Sequence, residues 1–258
     1  MICAILGVPE HLDNAATRDT LMATIAPGTS ADPGRAERDL HDLLDALIAG
    51  KRSGQESGGV DLLGALVRAA DRLHQKVLQL LDEQGLVDLS RTVLDSAHVR
   101  AIKGGELAGP SPVDRGRPGS KMHVLSDADG LPLRVGLSAA NTHDSLALKP
   151  MLSHFHMGHE SNAADSKPQR LHADKAYDIP HLRRWLWGKH IGVRIARKGI
   201  ESSERLGRHR WVIERTMSWL TGYRRLNHRY ERHTSNYLAF LRLAAALCCY
   251  KRFRQLTM

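Results

Sequence analysis

Aromatic residues are scarce in this chain: Trp, Tyr and Phe number 4, 5 and 3 in 258 residues, and none stands before Phe155. Over residues 1–70 Gly, Ala, Ser and acidic residues mix, with only two short apolar-periodic stretches, at 39–48 and 61–80. Weak, mostly helical structure is expected there, and the Pro/Gly/Ser-containing runs at 26–34 and 51–60 read as loops or linkers. Cysteine is equally rare. Cys3 is isolated, and Cys248 and Cys249 are adjacent, which excludes both a disulfide framework and a metal-ligand spacing; all three read as small buried apolar residues. No run approaches the roughly 18 consecutive apolar residues of a membrane span, and the first residues lack the basic start and apolar run of a secretory signal, so a cytoplasmic protein is expected.

An apolar fraction of 42% supports a hydrophobic core. The net charge of +9 is unevenly distributed. Residues 1–90 hold 8 Lys+Arg against 14 Asp+Glu, and the remaining residues hold 29 against 14. A basic surplus in the last two thirds argues for a polyanionic partner, because each phosphate neutralised by Lys or Arg releases counterions. A solvated basic surface or a ribosome-associated protein would show the same balance.

From residue 61 the periodicity sharpens. Leu63, Val67, Leu73, Val77, Leu80 and Leu81 fit one face of a helix ending near Gly85. Residues 92–99 read as a strand that sends Val93, Asp95 and Ala97 to one side. Residues 121–126 and 131–138 read as a hairpin joined by Asp127-Ala-Asp-Gly130, and Pro132 places one end at a sheet edge. The spacing of Leu148, Met151, Leu152 and Phe155 predicts a core-facing helix. A polar stretch at 158–169 leads to a strand at 170–174, a helix at 180–190, a strand at 193–196, and two closing helices at 207–221 and 235–253. This order is α/β.

Two carboxylates therefore sit in or at the end of strands, Asp95 and Asp174, and a third, Glu214, sits within a helix. Acids fixed in direction by backbone pairing can converge on two hard divalent ions, Mg²⁺ or Mn²⁺, which take oxygen ligands. In such a site one ion activates the attacking oxygen and the other stabilises the leaving oxygen at phosphorus, so no covalent protein nucleophile is required. Taken singly, each acid could equally be a solvated surface charge.

The surrounding segments narrow this. Thr92-Val-Leu-Asp-Ser-Ala-His-Val-Arg100, Gly109-Pro-Ser-Pro-Val-Asp114, Arg117-Pro-Gly-Ser-Lys121, Asn141-Thr-His-Asp144, His172-Ala-Asp-Lys-Ala-Tyr-Asp178 and Arg210-Trp-Val-Ile-Glu-Arg215 with Trp219 occur in order. Together they resemble the DDE transposases of bacterial insertion sequences, specifically the group named after insertion sequence five, from about residue 72 to the end. The resemblance implies an α/β, ribonuclease-H-like mixed sheet flanked by helices over residues 71–258. It implies Asp95, Asp174 and Glu214 as catalytic, metal-binding residues using Mg²⁺ or Mn²⁺, two ions in all. It also implies DNA partners, namely the element's terminal repeats and a target, with a homodimer on paired ends. Two departures stand out. Lys175-Ala176 replaces the usual Arg-Gly, which would strain Ala176 if its φ were positive. Of the related tyrosine-arginine-glutamate-lysine signature, Arg210 and Glu214 fit while Gly207 and Thr221 fill the other places. Residues 1–70 form an atypical acidic segment where the family carries a Trp- and Arg-rich one, and impaired binding to the terminal repeats follows as an expectation. Two other readings remain: a DNA-binding remnant without transposition, and a metal-dependent nuclease.

The basic candidates fall into groups. Lys103, Arg115, Arg117 and Lys121 occupy a Gly/Pro-broken region between the first strands and would grip DNA backbone, or merely be solvated. Arg210, one turn before Glu214, is a phosphate clamp or an ordinary helix ion pair. Arg215 belongs to the same helix. Arg224, Arg225, Arg229 and Arg232 form a basic run suited to DNA or to solvent. Trp211 and Trp219 are expected to pack against the sheet rather than stack on bases. Asp144 is expected to cap the helix starting near Ser145. His98 faces the site or packs.

Overall fold

The computed structural model describes residues 59–153, 167–197, 199–200 and 203–257, with side chains described from Ala70 onward except those of 203–210 and 254–257. Expectations for residues 1–58, for Phe155 and for most of the 158–169 stretch lie outside the described residues.

Helix α1 spans Gly59–Glu83 and runs straight through the boundary drawn at residue 70. Its end is a Schellman turn: Gly85 takes a φ of +66°, its N–H donates to Asp82 O at 2.8 Å, and Leu86 N–H donates to Leu81 O at 2.8 Å. The strands follow as β1 Thr92–Ala101, β2 Gly109–Pro110, β3 Pro118–Ser126, β4 Pro132–Ala139, β5 Arg170–Ala173, β6 Gly192–Ile195 and β7 His228–Arg229. Between and after them lie α2 Ser145–Ser153, α3 Pro180–Gly188, α4 Ser203–Thr221 and α5 Thr234–Thr257. All seven strands form one sheet with β1 at its centre. β1 pairs antiparallel with β3 and parallel with β5, β3 pairs antiparallel with β4, and β5 pairs parallel with β6. The order β4-β3-β1-β5-β6, with one antiparallel half and one parallel half, is the ribonuclease-H-like mixed sheet expected. β4 pairs only with β3, so Pro132 does lie at an edge.

Alternation along β1 divides the core. Val93 and Val99 join Met122, Val124, Val135 and the buried faces of α4 and α5 (Ile213, Leu220, Tyr237, Leu241) on one side. Leu94 joins Leu125, Leu171 and the apolar stripes of α2 and α3 on the other. The result is a helix–sheet–helix sandwich. On α1, Val77, Leu78 and Leu81 pack with Cys249 of α5 and Leu131 and Leu133. Cys248 and Cys249 are buried and free, as expected of small apolar residues. The hairpin turn is held from within by Asp127: Oδ1 accepts from Asp129 N–H at 2.9 Å and Leu131 N–H at 2.7 Å, and Oδ2 accepts from Asp88 N–H at 3.2 Å. Gly130 completes the turn at φ +88°, where an added Cβ would meet Thr216 Oγ1 at 2.9 Å, so both conformation and space call for glycine.

Three buried titratable groups make stability pH-dependent. Burial lowers His74, whose Nε2 lies 2.7 Å from Pro132 O, from 6.5 to about 4, and burial does the same to His123. Burial pushes Asp127 up from 3.8 to about 6 against the pull of its backbone donors. The histidines gain protons only on unfolding, so their contribution is full above pH 6.5 and is lost towards pH 4. Asp127 holds a proton in the fold, so its contribution is full below pH 3.8 and is lost as pH rises through about 6. Between pH 6 and 4 these three groups together bind a net one proton more in the unfolded chain, a contribution that lowers stability by roughly 1.4 kcal/mol per pH unit. Urea unfolding at pH 6.0, 5.0 and 4.0 measures this. His74→Gln should make the slope shallower by about one proton, roughly 1.4 kcal/mol per pH unit, and an unchanged slope would refute the assignment.

Candidate active site

The two strand acids are brought side by side. Parallel pairing sets Thr92 opposite Leu171, Val93 opposite His172 and Leu94 opposite Ala173, so the next step of that register places Asp174 beside Asp95. Neighbouring strands lie about 4.8 Å apart, which puts the two carboxylates within reach of a common ligand. Each is oriented by a local hydrogen bond: Asp95 Oδ1 accepts from Ser96 N–H at 2.8 Å, and Asp174 Oδ1 accepts from Ala176 N–H at 2.8 Å as the N-cap of the 3₁₀ turn Lys175–Tyr177. Ala176 is not among the residues with positive φ, so its replacement of glycine brings no strain there. Both acids line one cleft of about 710 Å³.

The helix acid is placed differently. Ile213 of α4 lines the cleft, while the adjacent Glu214 is exposed. Among the described residues no three His, Cys, Asp or Glu side chains are gathered closely enough to hold a metal ion. The side chain of Arg210 lies outside the described residues.

Asp144, which the sequence reading assigned to capping, is held instead on the opposite face of β1 from Asp95, the face of Ser96 and Lys121. Asp144 Oδ1 accepts from Ser96 Oγ at 2.8 Å and sits 3.0 Å from Lys121 Nζ, so the carboxylate is engaged with the sheet and does not cap α2. Burial acts to raise its pKa, but the bonds from Ser96 and Lys121 outweigh this and hold it below the usual carboxylate range. Tyr177, 1% exposed, feels Asp144, Asp95 and Asp174 together. Burial first, and these three charges next, raise its pKa and keep its hydroxyl a neutral donor. Sequence reasoning missed Tyr177, although it lies within one of the quoted segments.

The basic candidates separate sharply. Lys103, Arg115 and Arg117 are exposed in the loop between β1 and β3, with Arg117 3.9 Å from Asp114. Lys121 is no loop cation: it belongs to β3, is 6% exposed, and bonds Thr142 O at 2.8 Å. Arg215 is sandwiched between the rings of Trp211 and Trp219, at 4.5 and 4.8 Å, and bonds Asp129 O. It clamps the hairpin turn to α4. Those tryptophans are 51% and 39% exposed, so the expected packing against the sheet does not occur; they cover the arginine's guanidinium on the outer face of α4. Arg224 and Arg232 are exposed, whereas Arg225 pairs with Glu231 and lies over Tyr230 and Phe240. Arg229 is wholly buried and cannot serve a surface. His98 is exposed, with Nδ1 3.3 Å from Ser111 Oγ. The cations that line the cleft itself, Arg91, Arg170, Arg183, Arg194 and Arg197, were not singled out from sequence. Strand alternation was the one signal available for Arg170 and Arg194, which share the parity of Asp174's face.

The family described as Transposase DDE domain matches residues 88–249. The putative transposase for insertion sequence element IS402 of Burkholderia cepacia is 36% identical over 198 residues, covering 75% of this chain and 89% of that protein. The putative transposase for insertion sequence element IS6501 of Brucella ovis is 30% identical over 135 residues, covering 50% of this chain and 95% of that protein. Among solved structures, the crystal structure of the Mos1 strand transfer complex covers 97% of this chain and 93% of that chain at 12% identity and a TM-score of 0.36. No helix among the described residues is long and apolar enough to cross a membrane. With the transposase domain matched over residues 88–249, most of this chain, and an insertion-sequence transposase 36% identical along 89% of that protein, this chain belongs to the DDE transposase family.

Proposed function

We propose that this chain cuts and joins DNA as the transposase of an element in the insertion-sequence-five group, with Asp95, Asp174 and Glu214 as its reacting acids. The observation that carries the reading is that Asp95 on β1 and Asp174, just past the end of the parallel neighbour β5, line one cleft. Their donor set fits a hard divalent ion, since Mg²⁺ is held by one or two carboxylates completed by phosphate oxygens and water. Glu214, next to the cleft-lining Ile213, would supply a third carboxylate when DNA is bound. When present, Mg²⁺ or Mn²⁺ supplies polarisation of the phosphodiester and of the attacking oxygen. The chain's own part is positioning: Ser96 N–H and Ala176 N–H aim the two aspartates. The partners are the terminal repeats and a target DNA, engaged by two copies of the chain on paired ends.

Incubation with Mg²⁺ and pre-cut terminal DNA tests this. Joined products are expected. Cutting without joining would instead mark a nuclease, and binding with neither would mark a remnant that has lost its chemistry.

A further inference from the structure

Among the described side chains, the sheet face that carries Asp95 and Asp174 is only half covered. Over β1, β3 and β4, helices α4 and α5 seal it with Ile213, Leu220, Tyr237 and Leu241. Over β5 and β6 no apolar side chain belongs to that core, because Leu171, Ala173, Val193 and Ile195 all join the opposite one. Alternation then turns the intervening residues towards the cleft. Arg170 lies opposite Gly192 and His172 opposite Arg194, on the parity of Val93 and Asp95. Arg197 follows the end of β6 and lines the same cleft.

This half-face is unsuited to covering by another helix, since it presents arginines where a core needs apolar groups. Arg170, Arg194 and Arg197 are exposed, and no ion pair among the described residues takes them up. The contrast within the cleft is informative. Arg183 is committed to Asp178 at 2.8 Å and to Ile195 O at 2.9 Å, and Arg91 bonds Ala128 O at 2.9 Å. Those two brace the walls, while the other three project positive charge beside the acid pair.

We propose that Arg170, Arg194 and Arg197 form a rail for the phosphate backbone of a single DNA strand running away from Asp95 and Asp174 across β5 and β6. The inference rests on the transposase reading and extends it to the path of the substrate. A polyanion is the complement of three unneutralised guanidiniums, and arginine suits phosphate because its planar fork can donate two hydrogen bonds at once. Arg170 and Arg194 stand on adjacent strands about 4.8 Å apart, a span that one phosphate backbone follows.

The test uses the full chain and fluorescent DNA, single-stranded and duplex, with affinity followed by anisotropy across a salt series. Each phosphate contact contributes about 0.7 to the slope of log affinity against log salt for single strands. The variant Arg170→Gln/Arg194→Gln/Arg197→Gln should therefore bind single-stranded DNA with a slope shallower by about 2. A control removing the same charge from exposed positions elsewhere, Arg72→Gln/Arg184→Gln/Lys189→Gln, should keep the wild-type slope. Replacing the three rail arginines by lysine should restore it, and Arg194→Glu alone should weaken binding more than tenfold. Equal slopes for rail and control variants would overturn the rail, as would a loss confined to duplex DNA. Wild-type protein that binds no DNA would instead overturn the transposase reading, so the two failures are distinguishable.

Discussion

Asp174→Asn should lower DNA cutting and joining about a thousand-fold while leaving the fold intact. The two consequences separate because the two carboxylate oxygens have separable duties. Oδ1 caps the 3₁₀ turn by accepting from Ala176 N–H at 2.8 Å, and asparagine caps as well as aspartate does. What asparagine removes is the negative charge beside Asp95. Losing one carboxylate from a metal-assisted phosphoryl site forfeits several kcal/mol of transition-state stabilisation; about 4 kcal/mol corresponds to three orders of magnitude in rate. Product formation on labelled DNA, read beside the thermal unfolding midpoint, measures both. Asp95→Asn should behave alike, since the bond from Ser96 N–H survives the change. Activity within tenfold of wild type in either variant would remove the acid pair from the chemistry. Glu214→Gln then decides whether the exposed helix acid joins them: a loss of the same size places it in the DNA-bound site.

Arg229→Met should destabilise the protein by about 4 kcal/mol and lower its unfolding midpoint by roughly 10 °C. Arg229 is the largest wholly buried side chain among the described residues, and its charge is dispersed over neutral acceptors: Nε donates to Glu231 O at 2.9 Å, Nη1 to Ser120 Oγ at 2.8 Å and Nη2 to Arg232 O at 3.0 Å. These bonds tie β7 and the segment after it to β3. Truncation leaves buried acceptors without donors, each at a penalty of about 1–3 kcal/mol. Arg229→Lys should recover part of the loss, because an ammonium serves one direction of the fork and not three. Calorimetry or urea unfolding at pH 7 reads the effect. A midpoint within 2 °C of wild type for the methionine variant would show that the buried guanidinium contributes nothing to folding.

Arg229 also shows where reading the residues in order fails. It belongs to a run with Arg224, Arg225 and Arg232 that looks like one basic surface, yet the four have different fates: two are exposed, one pairs with Glu231 and one is interior. Lys121 and Trp211 err in opposite directions. A cation expected in a flexible loop is buried on β3 against Asp144, and a tryptophan expected in the core covers an arginine on the outside of α4. By contrast, the strands bearing Asp95 and Asp174, the hairpin around Asp127–Gly130 and the helices near 180 and 235 all appear within a few residues of their expected positions.

From the order of residues alone came the α/β class, the strand setting of both aspartates and the family, because alternation, turn chemistry and motif spacing are written over a few neighbouring residues. Tertiary structure alone decided that Asp174 lies beside Asp95, that Asp144 turns to Lys121, and that Arg170, Arg194 and Arg197 face the cleft. Those outcomes depend on which strand pairs with which and on how far α4 and α5 reach across the sheet. Such contacts join residues far apart in the chain, and no local pattern encodes which of two equally polar faces a helix will cover.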